Sequence, residues 1–242
     1  MKAVVIIMEQ KTKSVLPKVK YISILIKSIL LIIGVIGQFY TAGSMSFMSN
    51  AHFMFFTNLS NLWIMAIVAV FLGYDIIHVI TGCDKPQPTN YLYAAKFVCT
   101  VAITLTFLVF SVLLIPQLIA NGQSAYIFSM SNICVHNAVP MLAILDFCLF
   151  DYRYRTNKGS FVLGIILPLA YVCFVMMCSV KGIMFGDMNF PYFFFDYIEN
   201  GWFTIEAGRI GVAYWIVILA AVVLIIGLIL IAIKNKVAKN KT

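Results

Sequence analysis

Residues 211–233 read GVAYWIVILAAVVLIIGLILIAI, a run without a charge, an amide or a proline, closed by Lys234. A helix rises about 1.5 Å per residue, so this run is long enough to cross a hydrocarbon core of about 30 Å. In lipid there is no water to satisfy its backbone. A helix satisfies those groups locally, which a single apolar strand could not do. Comparable runs fall at 21–40, 53–71, 92–118, 129–150 and 161–180. The two-residue alternation of barrel strands is absent. The pattern predicts an all-α polytopic membrane helix bundle, one domain over residues 1–242 with six transmembrane helices.

Composition agrees. Apolar residues make up 62% of the 242 and charged residues only 11%, with a mean hydropathy of +0.99. A soluble domain carries about a quarter of its residues charged, so lipid must face much of this surface. The net charge of +8 sits in short segments between apolar runs, which argues for a topology signal and against nucleic acid as a partner. The short run 4–8 cannot form a signal-peptide core. The run 21–40 exceeds the usual signal-peptide length of about 7–15 apolar residues, so a retained helix is expected. Six cysteines, five of them inside apolar runs and none in a CxxC pair, are expected to be free, buried thiols with no metal site and no cofactor.

Lysine and arginine placement sets the expected orientation. Lys2, Lys11, Lys13, Lys18 and Lys20 lead the chain, Lys85 and Lys96 mark the second loop, Arg153, Arg155 and Lys158 the fourth, and Lys234, Lys236, Lys239 and Lys241 the tail. Residues 41–52 and 117–128 have neither lysine nor arginine. Both termini are therefore expected in the cytoplasm, with the protein in the cell membrane. The fifth loop, 181–210, falls outside. Its aromatic run Phe190-Pro191-Tyr192-Phe193-Phe194-Phe195 should lie at headgroup level or fold back over the mouth of the bundle.

Two spans carry polar clusters. The second opens with Phe55-Phe56-Thr57-Asn58-Leu59-Ser60-Asn61, and the fourth holds Asn132, His136 and Pro140 at four-residue spacing, on one helical face. Pro140 has no N–H for the carbonyl of His136 and should kink the helix. His136 is the only histidine in the middle part of a span, and an ionisable group there is a functional-site hypothesis by default. Interhelical hydrogen bonding is the plainer reading of both clusters. Thr57 and His136 fall at similar depth, roughly 6–10 Å below the outer boundary, where lipid ester groups lie. Asp146, about 15 Å deeper than His136 and closer to the inner boundary and to Arg153 and Arg155, is expected to form an ion pair or an inner-interface anchor. Lys27 is expected to snorkel inward, and Gly34 and Gly37 to permit close helix approach.

The run Phe55–Asn61, the His136…Pro140…Asp146 segment followed by Phe150, and Phe190-Pro191-Tyr192…Asp196 together resemble a bacterial family of six-helix membrane proteins without assigned activity. That family looks like a distant relative of the eukaryotic androgen-induced protein family, which includes the androgen-dependent regulator of tissue factor pathway inhibitor. The resemblance covers nearly the whole chain in layout and is motif-like only in the second and fourth helices. It implies an intramembrane hydrolase of fatty acid esters of hydroxy fatty acids, with a threonine at Thr57 and a histidine at His136. A more distant relative looks like a lipid acyltransferase. Here Asn58 follows the threonine and Asn137 the histidine, where the family's flanking residues differ.

The expected chemistry is attack by Thr57 on a lipid ester, with His136 as general base. Asn58, Asn61, Asn132 or Asn137 would serve the oxyanion, and Asp196 would orient His136 if its loop folds inward. Membrane lipids are then the partners. Two alternatives stand beside it. One is a small-solute or proton-coupled transporter, disfavoured by an inner half read as poor in polar groups. The other is a non-catalytic scaffold or receptor using the aromatic loop.

Overall fold

The computed structural model describes residues 2–42, 52–83, 86–206 and 208–239, with side chains from Val19 onward except at residue 42. Most of the 41–52 loop, Lys85 and Lys241 lie outside the described residues, and of Lys2, Lys11, Lys13 and Lys18 only the backbone is described.

Among the described residues, six helices are long and apolar enough to cross a membrane, and the chain is a multi-pass membrane protein. They are α1 (Lys2–Ala42), α2 (Phe56–Thr81), α3 (Asn90–Ala120), α4 (Met130–Phe150), α5 (Ser160–Val180) and α6 (Val212–Lys239). Local chemistry fixes several ends. The Thr89 hydroxyl caps α3 through Leu92 N, and Ser129 caps α4 through Asn132 N. Gly82 ends α2 in the left-handed region, at φ 63°. The second span runs ten residues beyond the apolar stretch read from the sequence, because it carries Asp75 inside the helix. The α5–α6 segment holds short helical turns and one two-stranded ribbon, Ile205–Glu206 against Arg209–Ile210.

α3 and α4 are the most buried spans. α1 and α2 pack on one side of them and α5 and α6 on the other. The two glycines of α1 act as the sequence predicts. A Cβ on Gly34 would come within 2.6 Å of Met65 Sδ, and one on Gly37 within 2.7 Å of Cys134 Cβ and 2.8 Å of Val135 Cγ1. Gly37→Ala should therefore force α1 and α4 apart and cost about 1–3 kcal/mol, measured as a lowered midpoint of thermal unfolding in detergent. All six cysteines are free. Cys134, Cys148 and Cys178 are buried, whereas Cys173 is exposed on the outer surface of the bundle, and Cys83 is also exposed.

An even number of spans brings both termini to one end. That half of the bundle holds a buried chain of charges, which corrects the reading of an inner half poor in polar groups. Lys20 Nζ lies 2.5 Å from Asp75 Oδ1, and Lys27 Nζ lies 2.9 Å from Asp75 Oδ2 and 2.8 Å from Asp146 Oδ1. Lys96 Nζ lies 2.6 Å from Asp146 Oδ2 and 2.8 Å from Asp151 Oδ2. Ser23 joins by hydrogen bonds with Asp75 and Lys27. Lys27, Lys96 and Asp146 are essentially without solvent contact. Lys27 therefore does not snorkel to water, and the partners of Asp146 are Lys27 and Lys96 rather than Arg153 and Arg155. Among the described residues, three lysines of this chain of charges balance three aspartates. Burial of an unpaired charge costs several kcal/mol, so the set is stable only when complete.

Above this cluster lies a dry layer. Leu30, Ile64, Val68, Ile103, Val139 and Ala143, from α1 to α4, have at most 1% exposure and form one apolar cluster. From Asp146 to His136 the layer spans about 15 Å of helix axis.

Candidate functional site

Beyond the dry layer, at the end away from the termini, two wide helical turns face each other. Residues Phe110–Leu114 of α3 and Ile133–Ala138 of α4 are π-helical. Both have one cause. The turn in α3 closes with Ile115 N–H donating to Phe110 O, and Pro116 follows. The turn in α4 closes with Val139 N–H donating to Cys134 O, and Pro140 follows. In each helix the next donor in a five-residue pattern is missing because proline has no N–H. In α4 the carbonyl left over is that of Val135, and it accepts from Asn61 Nδ2 at 3.0 Å. The predicted disturbance at Pro140 thus takes the form of a wide turn, and Asn61 of α2 compensates for it.

The wide turns set the orientation of His136. Its ring stacks on Phe110, with centroids 4.0 Å apart and planes 11° apart. Its Nδ1 is buried without a hydrogen-bond partner. A ring nitrogen that carries no proton is an acceptor and a base.

Thr57 stands in the first turn of α2, whose start lacks a side-chain cap of its own. Tyr192, from the folded-back 181–210 segment, takes that place. Its hydroxyl lies 3.4 Å from Thr57 N, which donates to it, and 3.5 Å from Thr57 Oγ1. Burial holds the phenol above its usual pKa, with the Thr57 bonds pulling the other way, so it remains a protonated donor at neutral pH. Phe185, Phe190, Phe194 and Phe195 of the same segment are buried. Of the two placements open to this aromatic run, it adopts the one over the mouth of the bundle.

Two cavities meet here. A narrow apolar cleft of about 80 Å³ lies between α3, α5 and α6, lined by Leu105, Val109, Ile165, Leu169 and Leu219 among others. Leu169 is 51% exposed on the outer surface of α5, which places the rim of the cleft at the lipid face. A wider polar recess of about 860 Å³ lies under the 181–210 segment and includes Asn58, Gln117, Asn121 and Asn132 in its wall. Among the described residues, four line both: Thr57, Leu114, His136 and Tyr192. No hydrogen bond joins Thr57 to His136, and both line the two cavities.

The other predicted site residues divide. Asn58 and Asn132 line the recess. Asn58 Nδ2 donates to His52 O at 2.7 Å and Asn132 Nδ2 to Tyr126 O at 2.7 Å. Asn61 Nδ2 donates to Thr57 O as well as to Val135 O, and Asn137 Nδ2 donates to Asn132 O within α4. Each of the four amides thus spends at least one N–H on a backbone carbonyl, Asn132 keeps a second N–H on the recess wall, and the Tyr192 hydroxyl stands beside Thr57. Asp196 does not orient His136. Its Oδ1 accepts from Ile198 N and Glu199 N and caps the short helix Tyr197–Asn200. Phe110 stacks on the ring instead, and neither it nor Tyr192 was picked out as a site residue. His52, buried beside Gln38 with 2.8 Å between Nε2 and Oε1, is held neutral by burial, which lowers its pKa.

Compared with known protein families, with curated proteins and with solved structures, the chain matches none.

Proposed function

We propose that this protein is an intramembrane lipid acyl-ester hydrolase or acyltransferase of the cell membrane, with both termini cytoplasmic and Thr57 and His136 as its reacting pair. The observation that carries the reading is the seam, where a hydroxyl and an imidazole with a free, buried Nδ1 line both a lipid-facing apolar cleft and a polar recess. An ester joining an acyl chain to a polar group has its reacting carbon at that boundary. Thr57 Oγ1 attacks the carbonyl carbon and its proton passes to His136 Nδ1. The oxyanion is met by the Tyr192 hydroxyl. The ester C–O bond breaks and the leaving alcohol takes the proton from His136. Water, or a second alcohol in an acyltransferase, then attacks the acyl-threonine. It gives its proton to His136, which returns it to Thr57 as the acyl group leaves. The resemblance of the α2 and α4 segments to intramembrane threonine hydrolases supports the same assignment.

Transport has one observation in its favour, the buried charges at the termini end. The dry layer between those charges and the seam weighs against a polar path across the bundle.

Activity labelling with an alkyl fluorophosphonate tests the reading. Membranes bearing the wild-type chain should give a labelled band near 27.1 kDa. Thr57→Ala should abolish it, and His136→Ala should slow it strongly. A Thr57→Ala protein that labels normally and retains ester turnover removes this mechanism.

A further inference from the structure

In a chain with a net charge of +8, the polar recess is acidic. Its wall contains Asp187, Asp196 and Glu199 and, among the described residues, no lysine or arginine. Residues 43–51, which connect α1 to α2, carry no charged side chain in the sequence. Arg209 is on the same end of the bundle but pairs with Glu206 at 3.3 Å and does not line the recess. Two further atoms define what is missing. Asn58 Oδ1 and His136 Nδ1 are buried without hydrogen-bond partners, in residues 4% and 8% exposed, and both residues line the recess. An amide oxygen can only accept, and so does a ring nitrogen that carries no proton. A buried acceptor without a donor is costly, and a ligand that brings hydroxyl groups relieves that cost. A phosphate or carboxylate brings neither a donor nor a compatible charge.

We infer that the recess binds the head group of an amphiphile that is uncharged and rich in hydroxyls, such as glycerol or a sugar, and discriminates against anionic heads. The inference rests on the reading that an amphiphile lies across the seam, and it deepens that reading by naming the class of head group. It also parts this chain from the esters implied by the resemblance, whose hydroxy-acid half ends in a carboxylate.

The test uses three single-chain esters with the same acyl group: a monoacylglycerol, an acylcholine and a 1-acylglycerol 3-phosphate. Binding is measured to the purified full chain carrying Thr57→Ala, so that no turnover intervenes. The monoacylglycerol should bind about tenfold more tightly than the phosphate ester at low ionic strength, with the gap narrowing as salt rises. Asp187→Asn, Asp196→Asn and Glu199→Gln combined should narrow the gap at low salt, and an asparagine in place of Asp196 can still cap the short helix. Asn58→Leu should weaken the monoacylglycerol more than the phosphate ester. Equal or tighter binding of the phosphate ester, or tightest binding of acylcholine, overturns the inference. Thr57-dependent hydrolysis of all three at equal rates overturns it and leaves the hydrolase reading intact. Selective binding with no turnover by wild type sinks the hydrolase reading and supports the head-group assignment.

Discussion

Lys96→Met should destabilise the folded bundle by about 3–5 kcal/mol, read as a large drop in the midpoint of thermal unfolding in detergent. Lys96 has no solvent contact, bridges Asp146 and Asp151, and lies 4.4 Å from the ring centroid of Phe71. Without it, Asp146 keeps Lys27, but Asp151 loses the lysine that holds its carboxylate. The nearby Lys234 ammonium already donates to Tyr154 O at 2.7 Å. Burial raises the pKa of Asp151 to about 6 even though Lys96 pulls it down. Removing that pull moves it higher, so in the variant Asp151 should be protonated at neutral pH. A new carboxylic-acid band in the infrared spectrum, absent from Lys96→Met with Asp151→Asn, checks this. The double variant removes one charge of each sign and should recover much of the lost stability. A single variant as stable as wild type would show that the cluster does not hold the helices together.

The second large effect is on turnover. His136→Ala should reduce ester hydrolysis by about 10²–10⁴-fold, the usual contribution of a positioned general base. Tyr192→Phe should reduce kcat by roughly 10²-fold with a smaller change in KM, because an oxyanion donor acts in the transition state. Phenylalanine preserves the stacking of this ring on Phe194, at 5.1 Å and 6°, so the fold should survive. Initial rates on a neutral monoester in proteoliposomes separate the two variants. Equal loss of kcat and of thermal stability in Tyr192→Phe would assign the hydroxyl to capping α2 and not to the reaction.

The two ends of the bundle were unequally legible from sequence. Long apolar runs such as 211–233 leave a helix as the only way to satisfy the backbone in lipid, so the spans could be read directly. Pro140 and the four-residue spacing of Asn132, His136 and Pro140 marked the seam, because proline and periodicity are local signals. The charge cluster was missed because its members are far apart in the chain. Lys27, Asp75, Lys96 and Asp146 come from four helices, and each alone looks like a topology marker or an interface anchor. Tyr192 was missed for a similar reason. Its run of aromatics signalled a loop either at headgroup level or folded over the bundle, and the 135-residue separation from Thr57 carries no pattern. Pro116 did carry a signal, since it stands to the wide turn of α3 as Pro140 stands to that of α4.

The belt formed by Leu30, Ile64, Val68, Ile103, Val139 and Ala143 also has an electrical meaning. It is the low-dielectric stretch of the bundle, so most of a transmembrane voltage drops across it and little across the chemistry at the seam. Proton transfers in the reaction proposed for Thr57 and His136 should then exchange with the compartment on their own side, and dissipating the membrane potential should leave their rate unchanged.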